Sequence, residues 1–412
     1  MRRAIVFGGG GSKGAYQYGA WKALRELGQE FDIAVGTSIG AINAGFYVQD
    51  DFEHAGELWT AMNLDMVMKN GINLEKSFSF IYDQRENILP MLKTYFKDGP
   101  GADITPFLAC IDSFANEEKF FASPIDYGLI TVRYPDMQPL EILKKDIAPG
   151  YFAKWVCASC ACFPAFPRYE IDGKYYLDGG YYDNLPIATA MKMGAEEVVV
   201  LDLHTEPIHP AYQRHPYVKY LLPSRDLGSF LCFTRDVLDG LIDTGYLDTL
   251  RAFGKLGGSS YYITVSEEDT AAQAQLAPAF LRQLTAAEIE YENQKRSIMQ
   301  KSLRDSRFTA ALATNDERTP GALLVAACEV AMTKANAPRN QVYTFPQMLE
   351  QIKESYRELR DLEAESITDL ARAICKMNEE KGFLSDLRRS DPTEQDYITA
   401  ALTGILFNKV IA

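Results

Sequence analysis

The chain has 412 residues and a formal net charge of −14, and 47% of its residues are hydrophobic. These values indicate a globular protein with one large domain and a smaller one, and they disfavour nucleic acid as a partner. Its seven cysteines, an odd number, indicate reduced thiols rather than a disulfide framework. We see no apolar run long enough to span a membrane or to form a signal peptide, so we expect a cytoplasmic protein.

Residues 3–7 are predicted to form a short buried strand, followed by a glycine-rich loop, Gly8–Gly14, and then a helix. Consecutive glycines let the backbone turn its amides outward at little steric cost, which suits the binding of negative charge. That charge could be the phosphate of a dinucleotide or the oxyanion of an acyl transfer. A dinucleotide-binding fold would place an acidic residue after the second strand. This chain has a serine there, which favours acyl transfer.

The second predicted strand ends in Gly36-Thr-Ser-Ile-Gly40, and a helical pattern follows at once. A strand that turns into a helix within two residues crowds its tip, so the neighbours of Ser38 must be small. The hydroxyl of Ser38 would project from the turn, and the amides that begin the helix favour a developing negative charge. We therefore predict that Ser38 is a nucleophile.

Strands and helices alternate as far as about residue 205. This alternation predicts an α/β fold in which helices cover both faces of a largely parallel sheet. A predicted hairpin within it delivers Asp178, followed by Gly179 and Gly180. Residues 64–104 are irregular and suit either a cover over an apolar pocket or ordinary core packing; their large apolar residues include Met66, Met68, Phe78, Phe80, Ile81 and Tyr82.

The periodicity changes beyond about residue 210. Tyr261–Val265 is predicted to be the last strand of the sheet, and only helices are predicted after it. We therefore predict a first domain over residues 1–265, with a motif-bearing core at 4–205, and a helical domain over residues 266–412.

A serine nucleophile needs a base, and the chain has only four histidines. His204 could be the base of a triad or a surface residue, and the other three are expected at the surface. Asp178 is the stronger candidate, because the glycines beside it leave its carboxylate accessible. Three cysteines come close to metal-ligand spacing, but no second pair of ligands lies nearby in sequence, so we predict no metal; they are Cys157, Cys160 and Cys162.

Together these features resemble the patatin-like phospholipase family over roughly residues 4–205. Three motifs occur in the family's order: an oxyanion motif at Gly9-Gly-Gly-Ser-Lys-Gly14, a nucleophile elbow around Ser38, and a D-G-A/G motif at Asp178-Gly-Gly180. Ala158-Ser159 and the two Phe-Pro pairs after it also resemble the block that precedes the aspartate in the family. The additional glycine, Gly8, and the long helical C-terminus depart from the pattern, which leaves substrate choice and regulation open.

The resemblance implies a three-layer α/β/α fold and a catalytic dyad in which Asp178 activates Ser38 without a histidine. It implies no metal and no cofactor. Lys13, at the family's Arg/Lys position, would either bind lipid phosphate or brace the loop. The resemblance further implies an oxyanion hole formed by the amides of Gly9, Gly10 and Gly11, and supporting roles for Gly14, Gly36, Gly40, Gly179 and Gly180.

Three functions are candidates. The first is a serine lipid acyl hydrolase that cleaves carboxyl esters of glycerophospholipids or related lipids through an acyl-Ser38 intermediate, with transient contact at a membrane surface. The second is an esterase for small soluble esters, which suits the acidic charge. The third is a non-catalytic protein that keeps the fold and binds acyl lipid or phosphate.

Overall fold

The structure is a computed structural model that describes residues 1–69, 103–294, 307–313, 319–380 and 391–408. The chain divides into two compact units, Met1–Ala252 and Phe253–Ala412. The domain boundary predicted near residue 265 lies beyond this division, and the functional limits of the two domains stay a prediction. None of the helices in the described ranges has both the length and the apolar character that crossing a membrane requires.

The first unit contains an eight-stranded sheet. Its strands are β1 (Arg3–Phe7), β2 (Ile33–Thr37), β3 (Asp126–Tyr134), β4 (Gln138–Leu143), β5 (Tyr169–Ile171), β6 (Lys174–Asp178), β7 (Glu197–Leu201) and β8 (Val218–Leu221). They are ordered β5-β6-β3-β2-β1-β7-β8, and β4 pairs with β3. Strands β3, β2, β1, β7 and β8 are parallel to one another, whereas β4, β5 and β6 form antiparallel pairs. The predicted α/β fold with a largely parallel sheet is confirmed.

Helices cover both faces of this sheet because its central strands are apolar on both faces. In β1, Ala4 and Val6 pack with Ile187. Ile5 and Phe7 alternate with them, so they point to the opposite face, and they are also fully buried. The helices of the unit are α1 (Gly14–Glu26), α2 (Ile39–Val48), α3 (Phe52–Ala61), α4 (Thr105–Phe114), α5 (Glu117–Ala122), α6 (Phe152–Ser159), α7 (Ile187–Lys192), α8 (Pro210–Gln213) and α9 (Arg235–Ala252).

The prediction that Tyr261–Val265 forms the last strand of this sheet is wrong. The strand exists as β10 (Tyr262–Thr264), but it lies in the second unit, between β9 (Leu256–Gly257) and β11 (Val342–Tyr343). It is antiparallel to β9 and parallel to β11. A short apolar run indicates a buried strand but does not indicate its partners. We expected only helices after residue 265, and β11 shows that this prediction is also wrong.

The second unit is otherwise helical. Large side chains, among them Phe280, Phe345 and Tyr356, are fully buried in its core. Threonine side chains cap the first turns of three of its helices, which satisfies backbone amides that have no partner within the helix. The helices are α10 (Glu267–Gln294), α11 (Arg307–Leu312), α12 (Pro320–Lys334), α13 (Phe345–Ser355), α14 (Ile367–Glu380) and α15 (Glu394–Leu406).

Candidate active site

The glycine loop and Ser38 lie at one edge of the sheet in the first unit. Strands β1, β2 and β7 are parallel and adjacent, so their carboxyl ends share an edge. The residues that follow these strands are Gly8, Ser38 and Asp202. The register pairs Phe7, the last residue of β1, with Gly36, one residue before the end of β2. The glycine loop and the serine therefore leave the sheet side by side.

Asp178 reaches the same edge from an antiparallel strand. In β3, Ile130 pairs with Thr37 on one side, and the next residue, Thr131, pairs with Asp178 on the other. Asp178 therefore stands one residue beyond Thr37, at the level of Ser38.

Ser38 occupies a strained turn between β2 and α2. Its φ of 55° and ψ of −126° lie in a region that favours glycine. The flanking glycines are required by close packing. A Cβ on Gly36 would lie 2.1 Å from the carbonyl oxygen of Gly40, and a Cβ on Gly40 would lie 2.2 Å from that of Phe7. The backbone of the turn therefore leaves no room for larger neighbours.

Ser159, at the end of α6, joins this turn to β3. Its hydroxyl accepts a hydrogen bond from the amide of Ser38 at 2.9 Å and donates to the carbonyl of Ile130 at 2.7 Å. The side chain is fully buried. Ser159 belongs to a motif noted in the sequence, but no role was predicted for it, because its two hydrogen-bond partners lie on other elements. The amide of the proposed nucleophile is thus used to hold the turn.

Asp178 is only 5% exposed. Its carboxylate accepts a hydrogen bond from the amide of Gly180 at 2.7 Å, and it also interacts with the side chain of Ser38. Burial raises the pKa of Asp178 to about 6, against the lowering effect of these two hydrogen bonds. The neighbouring Gly179 is required because a Cβ there would lie 2.2 Å from the carbonyl oxygen of Ile130. A carboxylate in this setting is a better proton acceptor than an exposed one.

Asn184 ties the glycine loop to the turn that follows Asp178. The amide of Gly9 donates to the backbone carbonyl of Asn184 at 3.0 Å, and the side-chain amide of Asn184 donates to the carbonyl of Gly9 at 2.9 Å. The amide of Gly9, which the resemblance assigned to the oxyanion hole, is therefore already occupied. Within the described ranges, the amides of Gly10 and Gly11 have no protein acceptor.

A cavity of about 470 Å³ opens beside these groups. Its polar lining includes Lys13 and Asn184 together with Ser38 and Asp178. Most of the wall is apolar and suits a hydrocarbon chain; it includes Ile39, Met62, Val67, Phe107, Phe166, Leu203, Phe230, Leu231 and Phe233. The cover proposed over residues 64–104 lies mostly outside the described residues, which exclude Phe78, Phe80, Ile81 and Tyr82.

Residues 5–191 match the family model of the patatin-like phospholipases. The first unit carries a patatin-like phospholipase domain. Ser38, Asp178 and the glycine loop all lie within the matched residues.

The chain is also similar to curated proteins of known name. It is 25% identical to Lysophospholipase NTE1 of Candida albicans over 199 residues, and 26% identical to Patatin-like phospholipase domain-containing protein 7 of Mus musculus over 206 residues. Each match covers 48% of this chain and 13% of the relative, so the similarity spans a small part of the relatives' length. The crystal structure of VipD from Legionella pneumophila aligns over 98% of this chain and 88% of its own, with 14% identity and a TM-score of 0.36, too weak a likeness to add to the assignment.

His204 follows β7 in the first unit and lies outside the residues that match the family model. Its side chain is 48% exposed, but it lines the same cavity as Ser38. Its Nδ1 lies 2.9 Å from the carboxylate of Asp202, which is fully buried. Burial alone would raise the pKa of Asp202, but hydrogen bonds from His204, Tyr220 and Ile208 outweigh it and hold that pKa below its usual range. The other three histidines do not line this cavity.

The cysteines beside the site are neutral thiols. Burial raises the pKa of Cys157 to about 12 and that of Cys162 to about 11, and it raises that of Cys160 as well. The Cys160 side chain interacts with Ser38 and lines the same cavity. Nowhere in the described ranges do three or more His, Cys, Asp or Glu side chains form a group that could hold a metal ion.

Proposed function

We propose that this protein is a serine lipid acyl hydrolase that cleaves carboxyl esters of glycerophospholipids or related lipids. The main support for this proposal is the interaction between the side chains of Ser38 and the buried Asp178. Burial raises the pKa of Asp178 to about 6. The adjoining apolar cavity and the match to the patatin-like phospholipase family support a lipid substrate. A cytoplasmic location and transient contact with a lipid surface stay predictions.

In the proposed reaction, Asp178 accepts the proton of the Ser38 hydroxyl as the serine oxygen attacks the ester carbonyl. The protonated aspartic acid then donates this proton to the departing alcohol, which leaves an acyl group on Ser38. Water hydrolyses this acyl-enzyme, with Asp178 again acting as the base. A partly desolvated carboxyl with a pKa of about 6 can hold and release the proton in both steps.

We assign the oxyanion hole to the amides of Gly10 and Gly11. Both residues line the cavity, and within the described ranges neither amide has a protein acceptor. Gly9 instead holds the loop to Asn184. Each donor in such a site contributes roughly 3 to 4 kcal/mol to transition-state stabilisation.

The decisive experiment compares wild type with Ser38→Ala and Asp178→Asn. We expect both variants to lose at least a thousandfold in the hydrolysis of lysophosphatidylcholine and of a p-nitrophenyl ester, and Ser38→Ala to resist labelling by a fluorophosphonate. Two matched controls remove the same groups elsewhere: Ser113→Ala, at an exposed position of α4, and Asp172→Asn, at an exposed position of the hairpin turn before Asp178. An Asp178→Asn variant that keeps more than a tenth of the wild-type rate would show that another group is the base.

The net charge of −14 favours a second candidate, an esterase for small soluble esters. Rates measured below and above the critical micelle concentration of one ester distinguish the two functions. A lipid hydrolase is expected to accelerate on the aggregate, whereas a soluble esterase is not. A wild-type protein that reacts with no fluorophosphonate would instead indicate a non-catalytic binding protein.

A further inference from the structure

His204 shares the cavity of Ser38, and the proposed dyad leaves it without a function. Two hydrogen bonds fix it: its ring Nδ1 lies 2.9 Å from one oxygen of Asp202, and its backbone amide donates to the same oxygen at 3.1 Å. The second oxygen of Asp202 accepts from the hydroxyl of Tyr220 at 2.7 Å and from the amide of Ile208 at 3.1 Å. Because Asp202 engages Nδ1, Nε2 is the ring nitrogen that remains for a ligand in the cavity.

Lys13 is the second basic side chain in the lining of this cavity. In the part of the chain that the structure describes, its ammonium forms no hydrogen bond or ion pair with a protein group. Bracing of the loop through this charge would require such a partner, so the structure favours a ligand for Lys13.

Lys13 and Leu203, the residue before His204, lie beside the same glycine, Gly10. A Cβ added to Gly10 would lie 3.6 Å from the Cβ of Lys13 and 3.7 Å from the Cβ of Leu203, the residue before His204. The backbone amide of Gly10 is also one of the two that we assign to the oxyanion hole. Positive charge is therefore available close to the place where the scissile carbonyl would bind.

We propose that His204, held by Asp202, binds together with Lys13 the phosphate group of the substrate's polar head. The domain would thereby select acyl esters that carry a phosphodiester over uncharged glycerides. In a glycerophospholipid the phosphate is only a few bonds from the ester carbonyl, which matches basic groups beside Gly10. An imidazolium donates from Nδ1 to Asp202 and from Nε2 to a phosphate oxygen, while the lysine supplies a second charge-assisted hydrogen bond.

This inference rests on the proposed function and is tested by substrate selectivity. We would measure kcat/KM for a lysophosphatidylcholine and for a monoacylglycerol with the same acyl chain, using wild type, His204→Gln and Lys13→Met. We expect the ratio of the two values to fall at least tenfold in each variant, mainly through KM for the phospholipid. His215→Gln is the matched control, because His215 is exposed and does not line the cavity.

A second readout needs no turnover. Calorimetric titration with glycerol 3-phosphate should show binding to wild type and at least fivefold weaker binding to His204→Gln, with a melting temperature that confirms folding. A selectivity ratio that stays at the wild-type value, or rates on both substrates that fall in parallel, would overturn the phosphate-binding role of His204. If wild type hydrolyses neither substrate, the proposed function fails, and the titration alone then decides whether this phosphate site exists.

Discussion

The backbone of Ser38 places a serine where glycine is favoured. A φ of 55° and a ψ of −126° are strained for a residue that has a Cβ. The hydrogen bond to Ser159 and the close packing around Gly36 and Gly40 hold Ser38 in this conformation. We predict that Ser38→Gly is more stable than Ser38→Ala by about 1 kcal/mol, although both are inactive, because glycine removes the strained Cβ. Urea unfolding of the two variants measures the difference. Equal stabilities would show that the turn carries no such strain.

Asp178 sets the expected pH dependence of the reaction. In the proposed reaction its carboxyl must be ionised to accept the proton of Ser38, and burial raises the pKa of that carboxyl to about 6. We therefore predict that kcat/KM is constant above pH 7 and falls about tenfold per pH unit below pH 6, as the base becomes protonated. Hydrolysis of a soluble p-nitrophenyl ester across pH 4.5 to 8 measures this profile.

Asp172→Asn is the control for that profile. It removes an exposed aspartate from the same hairpin and should leave the midpoint near pH 6. A wild-type rate that stays level down to pH 4.5 would contradict the assignment of Asp178 as the base.

Among the elements, α6 matters because its last residue connects two others. Ser159→Ala would remove the hydrogen bond that the buried side chain accepts from the amide of Ser38 and the one that it donates to the carbonyl of Ile130, which costs about 1 to 3 kcal/mol of stability. We predict a lower free energy of unfolding and at least a tenfold lower kcat, with a smaller change in KM, because the turn no longer holds Ser38, the proposed nucleophile, in position. Urea unfolding and steady-state kinetics measure the two effects.

The control for Ser159→Ala is Ser113→Ala, which removes an exposed hydroxyl bonded to the carbonyl of Cys110. It should change neither stability nor kcat appreciably. A Ser159→Ala variant that is less stable but keeps the wild-type kcat would show that Ser159 contributes to stability and not to the positioning of Ser38.

The elements that carry the proposed site could be predicted because their signals are local. Glycines at positions 36 and 40 indicate a crowded turn, and the alternation of strands and helices indicates the parallel sheet. The contributions of Ser159, Asn184 and Asp202 could not be predicted, because each depends on partners from other elements. Asn184, for example, contacts Gly9, which lies 175 residues away along the chain. The same reason explains β10, whose neighbour β11 lies some 80 residues further on.

At the scale of the whole molecule, every residue assigned to the proposed site lies in the first unit. The second unit contains a buried glutamate, Glu329, that binds backbone amides. The carboxylate of Glu329 accepts hydrogen bonds from three consecutive amides, residues 259–261, at 2.7 to 2.9 Å. We predict that Glu329→Ala destabilises the second unit by about 3 kcal/mol, because these amides lose a charged acceptor. Below the unfolding transition, the rate at which a fluorophosphonate labels Ser38 should not change.

Calorimetry and labelling of the same protein measure both parts of this prediction. Glu350→Ala, which removes an exposed glutamate on α13, is the matched control. A labelling rate that falls in Glu329→Ala before any unfolding would show that the second unit acts on the catalytic site.

The two hydrogen bonds between Asn184 and Gly9 also have a consequence for the proposed catalytic cycle. A free loop of consecutive glycines samples more conformations than other loops of its length, and ordering it around a transition state would slow every turnover. Asn184 restricts these conformations once, when the protein folds. The amides of Gly10 and Gly11, our proposed oxyanion hole, would then be preorganised before an ester binds, and little reorganisation energy would be added to the barrier of the proposed reaction.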